Sequence, residues 1–334
     1  MIILNLLFGY TLIFSITCIH AKPPELKLPS KKSVTQVLLI GQMRSGSSFT
    51  GELFNQHPEA FYMFEPLRSL LQANITDKTI SYELGCQSVK GYPFVEGVSN
   101  IMKGILECDF SQISSNILKN DFMLRSRQTA EFYTCFRKNE TSTENFQKCL
   151  KLLTNKCEQS SLRVVKTIRM TTELAVTLLS TLPNLKIVYL VRDPRAIIQS
   201  RIMLNLVVEH NIQTESTELC NRMDKDMYFI EISTMKNRIH IVRYEKFARH
   251  IVSEAKELFK FVDSDFHNDI VKWIEHNSVK STNFNPYSTS QNSTESVGRW
   301  LTQIKRETAK KVDESCVNLY KVFGYTEFDD LIEK

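Results

Sequence analysis

The residue types best suited to chemistry lie in a short turn near the start of the chain, within the stretch LLIGQMRSGSSFTGELFNQHPE that runs from Leu38 to Glu59. An apolar run there meets a small polar turn, which leads straight into a helix-like pattern. A glycine-containing turn between a buried strand and a helix presents backbone amides to an anion, and the helix N-terminus adds partial positive charge. The turn therefore predicts an anion-binding site.

The glycines of this turn have the spacing of the nucleotide P-loop. Four residues separate Gly41 from Gly46, but Ser47 and Ser48 replace the Lys-Ser/Thr pair that should follow, and the cation is Arg44 inside the turn. Such a site holds an anion with amides, hydroxyls and one guanidinium, without the lysine that reaches the terminal phosphates of ATP. A tight turn with helix-capping serines is the structural alternative.

A second cationic turn follows the stretch LKIVYLV, within residues 185–201. A buried strand ends there in Arg-Asp-Pro-Arg and enters a helix, with Pro194 in the first turn, where no backbone N–H is needed. Arg192 and Ser200 are both placed to reach a further phosphate at the carboxyl edge of the sheet, where ligands of open α/β sheets bind. An arginine–aspartate cap pair is the alternative interpretation.

One carboxylate has a position that suits proton transfer. Glu65 ends the apolar run FYMF and precedes Pro66, which keeps it out of a helix. We expect this carboxylate at the mouth of the sheet near the glycine turn, where it could accept a proton from a bound hydroxyl. The alternative is a structural carboxylate that binds a nearby amide or arginine. Lys166, in another predicted strand, either stabilises reacting charge or neutralises buried charge.

The elements that must position these residues are apolar runs that alternate with helical patterns. Continuous apolar strands separated by helices are typical of a parallel sheet with helices on both faces, so the sequence predicts an α/β fold with a P-loop-like sheet. The predicted strands are 37–40, 61–64, 162–168, 185–191 and 238–244, and the main predicted helices are 47–56, 171–182, 194–208 and 245–262. Residues 74–159 predict an irregular, partly helical insertion that either lines an acceptor site or is a disulfide-braced surface excursion.

The N-terminal region predicts entry into the secretory pathway. Residues 1–21 contain no Lys, Arg, Asp or Glu, which favours a signal peptide or a signal anchor, and residues 22–34 form a proline- and lysine-rich stem. Three Asn-x-Ser/Thr sequons agree with that compartment, at Asn74, Asn139 and Asn292. The net charge of +5 in 334 residues favours an anionic ligand only weakly.

Eight cysteines point to structural disulfides. One lies in the apolar leader, and the other seven show neither Cys-x-x-Cys spacing nor a nearby His that would suggest zinc. Seven cannot all pair within the chain, so one is free or intermolecular. We predict that Cys220 pairs with Cys316 and ties the C-terminal helix to the body of the domain.

Taken together, these motifs resemble a known enzyme family. RSGSSF, ELFNQHP and FEPL, between Val37 and Leu67, look closely like the 5′-phosphosulfate loop of the Golgi carbohydrate sulfotransferases, the branch that sulfates the 6-hydroxyl of Gal, GalNAc or GlcNAc. VRDPRA with Ser200 is similar to that family's 3′-phosphate element. The resemblance extends to about Tyr325, is fair at RVVKTIR, VRYE and GRW, and is poor in the insertion.

The resemblance implies a donor, 3′-phosphoadenosine 5′-phosphosulfate (PAPS), whose two anionic ends match the two anion elements. It implies Glu65 as catalytic base. Arg44, and Lys166 if it does not only neutralise buried charge, are the candidates for stabilising charge on the bridging oxygen, and no obligatory metal is expected because a sulfuryl group carries less charge than a terminal phosphoryl group. The implied donor-binding residues are Gln42, Met43, Arg44, Ser45, Gly46, Ser47, Ser48, Phe49, Arg192, Asp193, Pro194, Arg195 and Ser200.

The same resemblance implies a Golgi membrane enzyme with a lumenal domain at residues 35–334, acting on a glycoprotein or glycosaminoglycan and not on nucleic acid. Three alternatives remain at the level of the sequence. They are a sulfotransferase for heparan chains or protein tyrosine, a P-loop kinase, and a glycan-binding module without catalysis. The missing P-loop lysine and the 3′-phosphate element count against the kinase, and the intact candidate residues count against loss of catalysis.

Overall fold

The computed structural model describes residues 33–72, 75–76, 79–84, 87–277 and 293–332. The strands in this part of the chain are β1 (Thr35–Gly41), β2 (Ala60–Phe64), β3 (Ile75–Thr76), β4 (Thr79–Leu84), β5 (Gln87–Pro93), β6 (Leu162–Thr167), β7 (Leu185–Val191) and β8 (Ile239–Arg243). Five of them form a parallel sheet in the order β2-β6-β1-β7-β8, and β3, β4 and β5 form a separate antiparallel sheet. The five strands predicted from apolar runs are the five strands of the parallel sheet.

Helices cover both faces of the parallel sheet, which explains why its strands are apolar without interruption. Alternate residues of β1 enter different clusters: Leu38 packs in a large cluster on one face, whereas Val37 and Leu39 pack in a second cluster on the other. All seven residues of β1 are buried. Burial on both sides removes the polar alternation of a half-exposed strand.

The helices are α1 (Ser47–Gln56), α2 (Phe94–Glu107), α3 (Ser115–Leu118), α4 (Arg127–Phe136), α5 (Thr143–Glu158), α6 (Thr172–Thr181), α7 (Pro194–Ile202), α8 (Ile212–Ile232), α9 (Tyr244–Arg249), α10 (Ile251–Phe261), α11 (Asn268–Asn277), α12 (Ser293–Gln303), α13 (Arg306–Ser315), α14 (Val317–Phe323) and α15 (Phe328–Ile332). Short 3₁₀ turns cover Pro66–Gln72, Phe110–Gln112, Asp121–Arg125, Glu209–Asn211 and Lys236–Arg238.

The insertion at 74–159 is more regular than the sequence suggested. After the small antiparallel sheet it is mainly helical, from α2 to α5, and it packs into the same cluster as the sheet. Two disulfides hold it, Cys108–Cys157 and Cys135–Cys149. Several of its polar residues are buried, among them Ser114, Ser115 and Ser126, so the polar composition of the segment hid its packed helical character.

The structure joins Cys220 on α8 to Cys316 at the end of α13, the pair predicted from the sequence, with a Cα–Cα distance of 5.3 Å. Both cysteines are fully buried in the large cluster. The two remaining cysteines, Cys18 and Cys86, lie outside the described residues.

One helix is shorter than expected. The prediction carried α7 to residue 208, but the helix ends at Ile202 and the chain turns at Asn205, whose φ of 55° is left-handed. Leu206 N–H donates to the Arg201 carbonyl oxygen at 3.0 Å, which satisfies a terminal carbonyl of the helix. Asparagine adopts this conformation more readily than most residues, so Asn205 acts as a C-terminal stop.

The predicted helix at 245–262 is likewise divided in two, at His250.

No helix within the described residues has both the length and the apolar character to cross a membrane. The leader predicted at 1–21 and most of the stem predicted at 22–34 lie outside the described residues.

Candidate active site

The loop between β1 and α1 has the backbone of an anion-binding turn. Arg44 and Gly46 both have left-handed φ values, 75° and 94°, so the chain reverses tightly before the helix begins. Gly46 is the residue that caps α1, no described side chain caps the helix in its place, and the first turn holds no acidic residue. The amides of that turn have no partner within the helix and lie beside the helix dipole, which suits an anion.

Glycine at position 46 is required by a close contact as well as by its conformation. A Cβ built on Gly46 would lie 2.4 Å from the Tyr244 ring, far closer than two carbon atoms approach. The guanidinium of Arg192 lies on the same Tyr244 ring, 4.4 Å from its centroid. Tyr244 therefore contacts both anion elements.

The two anion elements meet directly, because they follow the neighbouring strands β1 and β7. Arg44 Nε donates to Ser200 Oγ at 2.9 Å, and Arg192 donates to the carbonyl oxygen of Arg44 at 2.9 Å. Arg201 donates to the carbonyl oxygen of Met43 at 3.4 Å. Arg192, just before α7, and Arg201, near its end, thus each donate to a carbonyl oxygen of the loop.

Glu65 follows β2 and is 3% exposed, with a left-handed φ of 50°. Its Oε1 accepts from Lys166 Nζ at 2.5 Å and from the amide of Ile168 at 3.1 Å, while its Oε2 accepts from Arg169 at 2.5 Å. A buried carboxylate in an unusual backbone conformation is held only where the surroundings strongly determine it, and such residues cluster at active sites. Lys166, Arg169 and the amide of Ile168 already use much of the hydrogen-bonding capacity of the Glu65 carboxylate.

Lys166 is almost completely buried beside this carboxylate and lies 4.6 Å from the centroid of the Phe64 ring. Burial lowers the pKa of its ammonium group, and the charges of Arg169 and Arg125 lower that pKa further, against the attraction of Glu65. The site thus holds a cation at some electrostatic cost.

These residues surround one pocket with a volume of about 400 Å³, a size typical of small-molecule sites. The predicted site residues that line it are Met43, Arg44, Gly46, Ser47, Ser48, Phe49, Glu65, Lys166, Arg192 and Ser200. The fold therefore brings the glycine loop, the second cationic turn and the candidate base to the same carboxyl edge of the sheet.

Five predicted donor-binding residues do not line the pocket: Gln42, Ser45, Asp193, Pro194 and Arg195. Gln42 instead donates to buried Asp226 at 2.9 Å, and Asp226 also accepts from the amide of Thr172. The side chain of Ser45 is fully buried beneath the loop. The side chains of Gln42 and Ser45 are therefore buried in the protein interior beside the loop and do not face the pocket.

Arg195 corrects the prediction most clearly. It is the largest fully buried side chain of the described residues, and its guanidinium pairs with Asp193 at 2.8 Å and with Asp313 at 3.2 Å. It also donates to the carbonyl oxygen of Thr326 at 2.8 Å. The Arg-Asp sequence is therefore a cap pair that joins α7 to the C-terminal helices, as the alternative interpretation proposed, while Arg192 alone of the two arginines reaches the pocket.

Comparison with known proteins agrees with this arrangement. The family model described as "Sulfotransferase domain" matches residues 34–324. The chain belongs to the sulfotransferase domain family. Its relatives include carbohydrate sulfotransferase 1 of Danio rerio, 26% identical over 87% of this chain and 78% of the relative, and carbohydrate sulfotransferase 3 of Homo sapiens, 26% identical over 86% and 67%. The resemblance recognised from the motifs is confirmed.

A solved structure shares the fold. The sulfotransferase domain from the Synechococcus PCC 7002 olefin synthase aligns with a TM-score of 0.50 at 17% identity, over 89% of this chain and 98% of that domain. The α/β sheet predicted from the sequence is therefore the sheet of a sulfotransferase.

Sequence reasoning missed several residues of this sulfotransferase pocket: Arg68, Phe122, Arg125, Arg169 and Gln303. Arg169 had a usable signal, since it follows the end of β6 by two residues and so lies at the functional edge. Arg68 and Arg125 had none, because they lie in 3₁₀ turns whose direction depends on the surrounding packing.

Of the three predicted glycosylation sites, Asn139 lies in an exposed turn after α4, where its side chain accepts a 3.4 Å hydrogen bond from Thr141 of the same sequon. Asn74 and Asn292 lie outside the described residues. Within the described ranges, no group of three or more His, Cys, Asp or Glu side chains is arranged to hold a metal ion.

Proposed function

We propose that this protein transfers a sulfuryl group from PAPS to a sugar, with the 6-hydroxyl of GlcNAc, Gal or GalNAc in a glycan as the acceptor. One observation carries the proposal: two anion elements, from β1 and β7, meet at the Arg44–Ser200 contact, and the Glu65 carboxylate faces the same pocket. The names of the related carbohydrate sulfotransferases support a sugar acceptor.

The donor's 5′-phosphosulfate fits the loop from Met43 to Phe49. The fit rests on the helix N-terminus without a side-chain cap and on the lining by Arg44, Ser47 and Ser48. The 3′-phosphate fits Arg192 and Ser200, which lie next to that loop. Arg44 binds Ser200, so one residue links the two ends of the donor site.

In the proposed reaction the acceptor oxygen forms a bond to sulfur while the bond from sulfur to the bridging oxygen of the phosphosulfate breaks. The acceptor hydroxyl gives its proton to Glu65, and the negative charge moves to the departing phosphate. Arg44 and Lys166 stabilise that developing charge, since cations already in position cost little reorganisation when charge develops. Glu65 is held in place by Lys166 and Arg169 on either oxygen.

A kinase is the alternative from another reaction class. The residue after Gly46 is Ser47, where a P-loop has lysine, and the pocket cation of the loop is Arg44. The second anion element, Arg192 and Ser200, would have no 3′-phosphate to bind if the nucleotide were ATP. These features favour PAPS.

The proposed location is the lumen of the Golgi, with residues 1–21 as signal anchor or signal peptide. The three disulfides of the described residues support an oxidising compartment. The exposed Asn139 sequon agrees with it.

The experiment is a pair of measurements on the purified full chain. Melting temperature should rise much more with 3′-phosphoadenosine 5′-phosphate (PAP) than with AMP, because a ligand that binds only the native state raises the free energy of unfolding by an amount that grows with the logarithm of its affinity. Incubation with radiolabelled PAPS and a glycan panel should label a 6-hydroxyl. Equal thermal shifts for the two nucleotides would remove the proposed role of Arg192 and Ser200.

A further inference from the structure

The VRYE motif at 242–245 contains a carboxylate that has no part in the proposed reaction. The motif spans the end of β8 and the start of α9. Its tyrosine, Tyr244, contacts both anion elements, but Glu245 is not among the described residues that line the pocket. A carboxylate this close to an anion site repels the anion, so Glu245 needs an explanation other than contact with the ligand.

The register of the sheet places Glu245 beside the second cationic turn. β7 and β8 are parallel neighbours, and Val191 pairs with Arg243 at their carboxyl ends. The two residues that follow each strand therefore leave the sheet side by side. The Oε1 atom of Glu245 accepts a hydrogen bond from the backbone amide of Asp193 at 2.7 Å. Glu245 thus holds the peptide unit that joins Arg192 to Asp193.

This contact fixes the backbone from which the Arg192 side chain extends. On its N-terminal side Arg192 continues directly from β7, and on its C-terminal side the amide of Asp193 is bound by Glu245. The guanidinium of Arg192 lies 4.4 Å from the centroid of the Tyr244 ring. Two consecutive residues therefore act on the same arginine, Tyr244 through its guanidinium and Glu245 through its backbone.

The carboxylate of Asp193 is engaged elsewhere in the turn. It caps α7 by accepting from the amide of Arg195 at 2.9 Å, and it also pairs with the Arg195 guanidinium. The acceptor for the amide of Asp193 is supplied by a different element, α9. The position of Arg192 thus depends on a contact between α9 and the turn that precedes α7.

The second oxygen of Glu245 connects it to the C-terminal turn. Its Oε2 atom accepts from the Tyr325 hydroxyl at 3.2 Å and lies 3.5 Å from Arg243 Nε. Burial, followed by the charge of Glu245, raises the pKa of Tyr325, so the hydroxyl keeps its proton and donates. Tyr325 follows Gly324, the left-handed residue that ends α14, and its amide donates to the Tyr320 carbonyl oxygen at 3.0 Å. The C-terminal helices therefore fix the tyrosine that orients Glu245.

We propose that Glu245 is a positioning residue for the 3′-phosphate of the donor: it holds the backbone of Arg192 so that the guanidinium meets that phosphate, and Tyr325 orients Glu245. The ligand class is a nucleoside 3′,5′-bisphosphate. Selectivity for such a nucleotide over AMP then depends on a carboxylate outside the pocket. The inference rests on the proposed function, in which Arg192 binds the 3′-phosphate, and it adds the residue that sets the geometry of that contact.

The test measures PAP and AMP binding to the full chain by calorimetry. Glu245→Ala removes the acceptor of the Asp193 amide and leaves the β1–α1 loop unchanged. We expect the Kd of PAP to rise by roughly tenfold or more, the effect of losing one hydrogen bond to a charged group. The Kd of AMP should stay within about threefold of wild type, because AMP has no 3′-phosphate for Arg192 to bind.

Steady-state kinetics give a second measurement that a purely structural role would not change. A contact with the 3′-phosphate is the same in the ground state and the transition state, so the KM for PAPS should rise roughly tenfold while kcat stays within about threefold. If Glu245 only stabilises α7, as an anion near its N-terminus, Glu245→Ala should lower the melting temperature and leave the ratio of the two Kd values as in wild type.

Three further variants complete the test. Glu245→Gln keeps an oxygen that can accept from the Asp193 amide, and the Kd of PAP should return to within about threefold of wild type. Tyr325→Phe removes one neutral donor and should raise the Kd of PAP roughly two- to fivefold. Glu254→Ala is the matched control, because it removes an ion-paired carboxylate of similarly low exposure, 20% against 13%, from α10 outside the pocket. Neither Kd should change in this control.

The outcomes separate this inference from the proposed function. A wild-type chain that binds PAP and AMP equally would reject the 3′-phosphate site, and the role of Glu245 with it. A wild-type preference for PAP that persists in Glu245→Ala would retain the proposed function and reject the positioning role.

The conservative variants can also overturn the inference. A Glu245→Gln chain as defective as Glu245→Ala would reject it, since the charge and not the accepted hydrogen bond would then be decisive. If Glu245→Ala does not fold, Tyr325→Phe tests the same contact, and an unchanged ratio of the PAP and AMP Kd values in that variant would reject the proposed link.

Discussion

Glu65 is the residue on which the proposed chemistry most depends. Glu65→Gln preserves shape and can still accept from one neighbouring cation, but it cannot take up the hydroxyl proton. We expect turnover to fall by roughly 10²–10⁴, the usual contribution of general-base catalysis, with the Kd of PAP within threefold of wild type. Turnover rates with PAPS and a 6-hydroxyl acceptor, together with calorimetric PAP binding, provide the measurement.

The chain offers a matched control at the other end of the same strand. Glu59 directly precedes β2 and is exposed, whereas Glu65 directly follows β2. Glu59→Gln makes the same chemical change without touching the pocket, and it should leave both rate and binding unchanged. If the Glu65→Gln enzyme kept turnover within about threefold of wild type, Glu65 would be a structural carboxylate and the base would lie elsewhere.

Lys166 gives the enzyme a pH dependence on the alkaline side. Burial lowers its pKa from the usual 10.5, which means that its positive charge is lost at a lower pH than that of an exposed lysine. If that charge stabilises the leaving phosphate, kcat should decline as pH rises, and the decline should begin below 10.5. In Lys166→Arg the cation does not titrate in this range, so the activity that remains should be flat with pH. A wild-type kcat that stays constant up to pH 10.5 would show that the ammonium charge is not required.

At the scale of elements, the β1–α1 loop depends on Gly46. Gly46→Ala places a methyl group 2.4 Å from Tyr244 and forces a non-glycine residue to φ 94°. A strained backbone residue costs about 1–3 kcal/mol, and the displaced Tyr244 would also move Arg192. We expect PAP affinity to fall at least tenfold, measured by calorimetry.

Gly298→Ala in α12 is the corresponding control. A Cβ built there meets no atom of the described residues within 4 Å, and its φ lies outside the left-handed range. Alanine in a helix is favoured over glycine by about 0.5–1 kcal/mol, so the melting temperature should rise slightly and PAP binding should not change. Equal PAP affinity in the two variants would show that the conformation at position 46 does not shape the donor site.

At the scale of the whole molecule, the disulfides differ in how much of the chain they close. Cys220–Cys316 spans 96 residues and Cys135–Cys149 spans 14. A cross-link restricts the unfolded chain more when its loop is longer, by roughly 4.7 kcal/mol for 100 residues and about 3 kcal/mol for 15. Replacing Cys220 and Cys316 by serine should therefore lower the melting temperature more than replacing Cys135 and Cys149. The reverse order in calorimetric scans would show that local packing outweighs loop length.

Several features follow from local sequence alone, for clear physical reasons. The strands are evident because burial on both faces requires unbroken apolar runs, as in β1 and β7. The anion loop is evident because Gly46 must take a left-handed φ where a strand meets a helix. The junction of Glu65 and Pro66 marks the end of a strand because a proline disfavours helical backbone at the residue before it. These are short-range constraints, so each can be recognised from a few adjacent residues.

Other features depend on residues far apart in the chain. Arg195 lies in the same VRDPRA motif as the pocket residue Arg192, and the motif does not distinguish them. Arg195 is completely buried because it pairs with Asp313, 118 positions away. Arg44 reaches Ser200 across 156 positions because β1 and β7 are neighbours in the sheet. Arg125 enters the pocket only because its 3₁₀ turn packs against Phe64. A charged side chain is stabilised by whichever partner the fold brings within reach, and that partner is a property of the packed molecule.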